Sequence, residues 1–237
     1  MIDFIAALLV FLALHMVPAV PALRPRLIAA IGRRAYLIVY SLVSILSLAW
    51  LFQAALRLDF IPLWEPAPWQ AWFAIVLTPV GLFFILAGLF SPNPASISLL
   101  NPDRPAGAVT TITRHPVLWG FALWAGSHLV PNGDMRSLLM FGALLTFSVL
   151  GMLITDNRTR RRLGIEWLHI SETTSVLPFS AVLGGRTRLR IDVPLVIAVL
   201  FSALLTAWLL LGGHAALFSA DPLSMVAANS TPAWLAV

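Results

Sequence analysis

The chain has 237 residues, 59% hydrophobic and 11% charged, less than half the charged share of an average soluble domain (about 25%). With a mean hydropathy of +0.91, it has too little polar surface to cover a globule in water. The lack of cysteine excludes disulfides and thiolate metal sites. The formal charge of +5 is carried wholly by arginine, which suits the cytoplasmic ends of membrane helices better than a nucleic-acid surface.

Crossing a bilayer takes roughly 20 apolar residues. In chain order the apolar segments are 4–20, 35–56, 69–90, 117–130, 138–155 and 193–213. The first follows Asp3, has no basic flank before it and carries its arginines after it. It is therefore expected to remain in the mature protein rather than act as a cleaved signal. The fourth is short: 14 residues reach only about 21 Å at 1.5 Å each. All but two of the arginines fall after the first, third and fifth segments; the exceptions are Arg57 and Arg136. This asymmetry predicts six helices, odd loops in the cytoplasm and both termini outside.

The connection 91–113 is rich in Pro, Asn and Gly and reads as an ordered irregular loop. The stretch 156–192 mixes arginines with Trp167, Leu168, Val176, Leu177 and Phe179 and suits a cytoplasmic element lying on the membrane surface. No repeat or phosphate-binding glycine loop is present. The fold class expected is an all-α polytopic membrane helix bundle, one domain over 1–237, with the lipid bilayer as its main partner and no nucleic acid.

Ionisable side chains inside hydrocarbon are costly and usually face a bundle interior. His15 is the one strongly polar side chain within the first segment, and His128 has the same status in the fourth. His15 lies 11 residues past Phe4, and His128 lies 11 past Val117. The two helices run in opposite directions, so each imidazole sits about 16 Å from its own entry face, near the middle of a core of about 30 Å. Two imidazoles at equal depth can ligate one iron. With no cysteine and no carboxylate within the helices, a haem with axial histidines fits better than zinc or a di-iron site.

Arg114, His115 and Pro116 stand at the mouth of the fourth helix. Proline suits a helix start, the free N–H groups there attract anions, and Arg114 adds a bidentate donor. "TRHP" is therefore a candidate anion clamp for a haem propionate, a cofactor carboxylate or a lipid headgroup. His169 and His214 are expected at the interfaces, without a role.

The stretch "ITRHPVLWGFALWAGSHLVPNGD" at 112–134 resembles the signature of the NnrU family of bacterial membrane proteins. "TSVLPFSAVLGGR" at 174–186 resembles that family's second signature region, and both are similar to the 15-cis-zeta-carotene isomerases. The resemblance implies a bacterial inner-membrane protein that binds haem b through His15 and His128. It also implies either isomerisation of a lipophilic polyene or support of nitrite and nitric oxide reduction in denitrification. In the isomerases a cysteine stands three residues before the second histidine; here that position is Ala125, which departs from their ligand-exchange pattern. The catalytic residues stay unassigned.

Two alternatives remain open. Membrane methyltransferases of the isoprenylcysteine and phospholipid type also carry RHP at a helix mouth and bind S-adenosylmethionine with a later acidic residue, for which Asp156 would stand. A non-enzymatic membrane subunit or assembly factor of a respiratory complex, with a membrane protein partner, is the other.

Overall fold

The computed structural model describes residues 1–17, 20, 23–101 and 103–228. The protein is 74% helical, with no strand among the described residues. In chain order the helices are α1 (Ile2–Met16), α2 (Leu23–Ile31), α3 (Arg33–Leu56), α4 (Pro68–Leu89), α5 (Val109–Ile112), α6 (Pro116–Asn132) and α7 (Met135–Leu163). After these come α8 (Glu166–Thr173), α9 (Ser180–Leu183) and α10 (Val193–Trp208), a π-helical stretch (Leu209–Gly213), α11 (His214–Phe218) and α12 (Pro222–Ala228).

Among the described residues, four helical runs are long and apolar enough to cross a membrane: α3, α4, α7 and the continuous run Val193–Phe218. Their outward faces carry large apolar side chains such as Ile38, Leu46, Val76, Leu153 and Leu204. That much contiguous apolar surface is not left facing water by a soluble monomer. The protein is an all-α membrane helix bundle.

The sequence leads to an expectation of six spans. The first and fourth of these become α1 and α6, of 15 and 17 residues. At 1.5 Å per residue they reach about 22 and 25 Å, short of a core of about 30 Å. Pro18 and Ala19, at the end of the first expected segment, lie outside the described residues, as does 229–237 at the end of the expected domain. The helix α2 was not expected, and α7 is longer than expected. Its 29 residues span about 43 Å, so its arginine-rich last turns extend past the hydrocarbon.

Contacts divide the chain into two units. One holds Met1–Leu63 with Asp134–Met140. In it α1 packs on α3, burying Phe4, Ala7 and Phe11 from the first helix and Leu51, Ala54 and Ala55 from the second. The start of α7 is capped here by Asp134, which accepts from Ser137 N at 3.1 Å and Ser137 Oγ at 2.6 Å.

The other unit holds Trp64–Gly133 and the described residues from Phe141 onward. Pro68 opens α4, and Gln70 Oε1 accepts the Ala67 N–H at 2.9 Å. The backbones of α4 and α6 come within touching distance. A Cβ on Gly120 would lie 2.6 Å from the Gly81 carbonyl, and one on Gly81 would lie 2.9 Å from the Gly120 carbonyl. In lipid, where no hydrophobic force drives helices together, such small-residue seams supply the van der Waals contact. Thr78 and Ser127 hydroxyls meet across the seam at 2.9 Å. A second cluster joins Phe84 and Ala87 of α4 to Val109 and Ile112 of α5 and Leu195 and Ala198 of α10. Asp192 caps α10 through Leu195 N at 3.0 Å and accepts the Ala108 N–H at 2.7 Å, which ties α10 to the loop before α5.

Membrane orientation is testable directly. A C-terminal alkaline phosphatase fusion is expected to be active, and one inserted near Arg160 inactive. The reverse pattern would show that α1 or α6 does not cross.

Candidate functional site

The loop 91–108 and α5 bring the chain to the start of α6, where Thr113, Arg114 and His115 occupy an extended corner. Thr113 is fully extended, His115 is the N-cap residue and Pro116 takes the first helical position, where its missing N–H costs nothing. This corner pairs with the stretch 174–179. Arg114 N donates to Ser175 O at 2.8 Å, Thr113 Oγ1 to Val176 O at 2.7 Å and Phe179 N to Ile112 O at 2.7 Å. Trp119 Nε1 adds a bond to Val176 O at 2.7 Å. The two signature stretches therefore form one element, held by backbone bonds and by the side chains of Thr113 and Trp119.

Arg114 is 6% exposed and His115 is wholly buried. Both turn to one carboxylate. Arg114 donates from its Nη1 to Asp156 Oδ2 at 2.8 Å, and His115 Nε2 donates to Asp156 Oδ1 at 2.7 Å. The other guanidinium donors reach Thr174 Oγ1 at 2.9 Å and the carbonyls of Thr174 and Ser171 at 3.4 and 3.5 Å. Trp167 lies beneath the guanidinium, with its ring centre 4.6 Å from Cζ. A buried cation is tolerated only when paired and hydrogen-bonded, and here both conditions are met from within the chain.

His115 Nδ1 meets Ser96 Oγ at 2.8 Å. In the neutral tautomer this nitrogen accepts the hydroxyl proton, so the row Ser96–His115–Asp156 can pass a proton. Ser96 lacks the amide donor that a nucleophilic serine uses beside it, because its own N–H goes to Asn93 Oδ1 at 3.1 Å. Asn93 also donates to Arg114 O at 3.0 Å, and Thr159 of α7 donates to Ala95 O at 3.0 Å. Ser96, Asn93 and Thr174 were not singled out from sequence. A polar loop followed by a buried RHP is the only signal that could have pointed to the first two.

His128 sits in the last turns of α6, half-buried between Trp124 and Phe141, with ring centres at 5.1 and 5.4 Å. Its Nδ1 lies 2.8 Å from Trp124 O. A carbonyl only accepts, so Nδ1 carries the proton and the ring lone pair is on Nε2. In the other unit, His15 repeats the arrangement: Nδ1 donates to Phe11 O at 2.8 Å, and the ring lies tilted by 32° with its centre 4.1 Å from that of Phe11. A metal-bound histidine almost always donates its second ring N–H in this way, which fixes the tautomer and raises ligand basicity. Among the described residues, no group of three or more His, Cys, Asp or Glu is placed to hold a metal ion.

The chain matches the description "NnrU protein" over residues 3–222. It belongs to the NnrU family. It is also similar to two chloroplastic 15-cis-zeta-carotene isomerases. The one from Zea mays is 27% identical over 118 residues, covering 46% of this chain and 32% of that protein. The one from Arabidopsis thaliana is 27% identical over 118 residues, covering 48% of this chain and 31% of that protein. The match thus spans about a third of each curated relative's length. No solved structure matches.

Removing one partner of a buried ion pair leaves an uncompensated charge and costs about 3 kcal/mol or more. Arg114→Ala and Asp156→Ala are each expected to destabilise the NnrU protein by that amount in detergent, as seen by thermal melting. The double variant is expected to lose clearly less than the two single losses combined, by about 1–3 kcal/mol. Strict additivity would show that the pair is not coupled.

Proposed function

We propose that this NnrU protein binds haem b and isomerises a lipophilic polyene. The observation that carries the reading is the ring of His128: half-buried, packed against aromatics, tautomer fixed by the Trp124 carbonyl and lone pair on Nε2. The similarity to carotene isomerases supports the substrate class. The equal depth of His15 in the sequence and its bond to Phe11 O support it as the second ligand.

Bound haem would supply an iron whose electronics the histidine nitrogens holding it would tune. The chain's own residues do the rest. His128 holds its nitrogen lone pair in a fixed direction. Trp124 and Phe141 keep water from the ring and offer apolar surface to a polyene. Isomerisation transfers no atoms or electrons overall, so the reaction consumes no co-substrate.

Arg114 and His115 enter this reading as a clamp on Asp156 rather than on a propionate. Their donors are already engaged, and 13 residues of α6, about 20 Å, separate His115 from His128. The same engagement weakens the methyltransferase reading, in which Arg114 and Asp156 would address opposite charges of S-adenosylmethionine instead of each other. Ala125, buried in α6 where the isomerases have cysteine, favours a second reading. In it the haem serves nitrite and nitric oxide reduction in a bacterial inner membrane, with a membrane protein partner.

Absorption spectra of the purified protein test the haem reading. Wild type supplied with hemin is expected to show a Soret band and a six-coordinate low-spin spectrum. His128→Ala is expected to lose that spectrum and bind hemin at least about 100-fold more weakly, whereas His169→Ala is expected to leave it unchanged. A wild-type protein that stays colourless overturns the proposal. Incubating the coloured protein with a cis polyene of the carotene class, and following the isomer ratio, then separates the isomerase from the denitrification reading.

A further inference from the structure

Between Asp156 and Asp192 the chain carries seven arginines and four acidic residues. Two of those carboxylates are already used. Asp156 holds Arg114 and His115, and Asp192 accepts from Ala108 N and Leu195 N. Arg186 donates to the carbonyls of Ser171, Glu172 and Thr174 at the end of α8, and Arg190 to that of Ala106. A carbonyl fixes a guanidinium without neutralising it. Arg161 and Arg188 are exposed and make no bond or ion pair among the described residues. The surface thus keeps an excess of positive charge on side chains held to the bundle.

Large apolar side chains stand in the same segment. Ile165 is 83% exposed, Leu177 63%, Phe179 43% and Leu183 86%. Phe179 also has a φ of +63°, a region that bulky residues avoid. The bonds from Phe179 N to Ile112 O at 2.7 Å and from Leu183 N to Phe179 O at 2.8 Å hold it there. The fold therefore keeps a strained backbone at a residue whose ring is not packed away, a pattern more common at working surfaces than in cores.

Neither water nor hydrocarbon suits this combination. Exposed apolar groups of that size are unfavourable in water, and guanidiniums without partners are costly among acyl chains. The boundary between the two media satisfies both. Depth agrees: α7 outreaches a core of about 30 Å, so its arginine-rich last turns stand at headgroup level, and α8 follows directly. The chemistry that complements the charge is a phosphate oxyanion without a compensating amine, which arginine can bind through two N–H groups.

We propose that α8, α9 and the turn between them form an interfacial platform that binds acidic phospholipid. Ile165, Leu177, Phe179 and Leu183 enter the edge of the leaflet, and Arg161 and Arg188 hold headgroup phosphates. The platform is built before lipid arrives, because Arg114 with Trp167 and Arg186 with the end of α8 fasten it to the bundle.

The chain has no cysteine, so Leu177→Cys and Leu183→Cys each accept one environment-sensitive fluorophore without background. The labelled full-length proteins are reconstituted into phosphatidylcholine vesicles with and without phosphatidylglycerol. Both labels are expected to shift to the blue and to be quenched by lipids brominated near the carbonyl end of the acyl chains. Quenching is expected to be stronger when phosphatidylglycerol, rather than phosphatidylcholine, carries the bromine. Arg161→Gln and Arg188→Gln are each expected to lower that preference by about fivefold, the share of one arginine near an anionic surface. Their thermal melting is expected to match wild type, since neither side chain bonds within the fold. Labels that stay in a water-like environment in both vesicle types overturn the proposal and mark the patch as a surface for a protein. Labels that insert with equal quenching by both lipids overturn the acidic-lipid preference. A preference that survives in the Arg161→Gln, Arg188→Gln double variant overturns the role given to these two arginines.

Discussion

A guanidinium sealed inside an oily chain has to be neutralised on the spot, and the bonding around Arg114 follows from that requirement. Asp156 comes from the far end of α7, Thr174 and Ser171 from the end of α8 and the turn after it, and Trp167 from the face of α8. The end of α7, α8 and the turn after it, all 42 or more residues beyond Arg114, are thus fixed by the needs of one side chain. His115 shares the same carboxylate and carries the link on to Ser96 and the loop before α5. An ion pair of this kind contributes little net stability compared with apolar packing. Its value lies in specificity, because any arrangement that separates the partners leaves a charge in a medium that cannot solvate it.

The second organising feature is the seam between α4 and α6. It relies on glycine where two backbones touch and on a hydroxyl pair where they begin to part. The corner at Arg114 fixes one end of α6. At the other end Gly133, with φ at 61°, stops the helix, and Trp64 Nε1 bonds to Val130 O at 2.9 Å. His128 is therefore presented by a helix restrained along one side and at both ends, so its ring holds one direction.

Much of this was legible in the residues. Hydropathy gave the class of fold and the approximate limits of the long helices, because lipid tolerates only long apolar runs whose backbone bonds are internal. The RHP corner stood out through its charge and its proline. His128 stood out as a polar group in an apolar stretch. Partners across the fold could not be read, since nothing local ties Asp156 to Arg114, 42 residues earlier. The end of α1 also escaped, because apolar composition continues past Met16, whereas α6, at 17 residues, runs longer than the short segment that hydropathy outlines. The shared face of the two signature stretches was hidden as well, since every bond across it ends or begins on a main-chain atom far away in sequence.

The position of α6 between its two anchored groups has a mechanical consequence. Seventeen residues of unbroken helix form a stiff rod, and its seam with α4 leaves it little freedom to bend. Held at both ends and along one side, that rod has no free end to swing. The corner at Arg114 and the aromatic surround of His128 are thus kept at a fixed separation of about 20 Å by a single element.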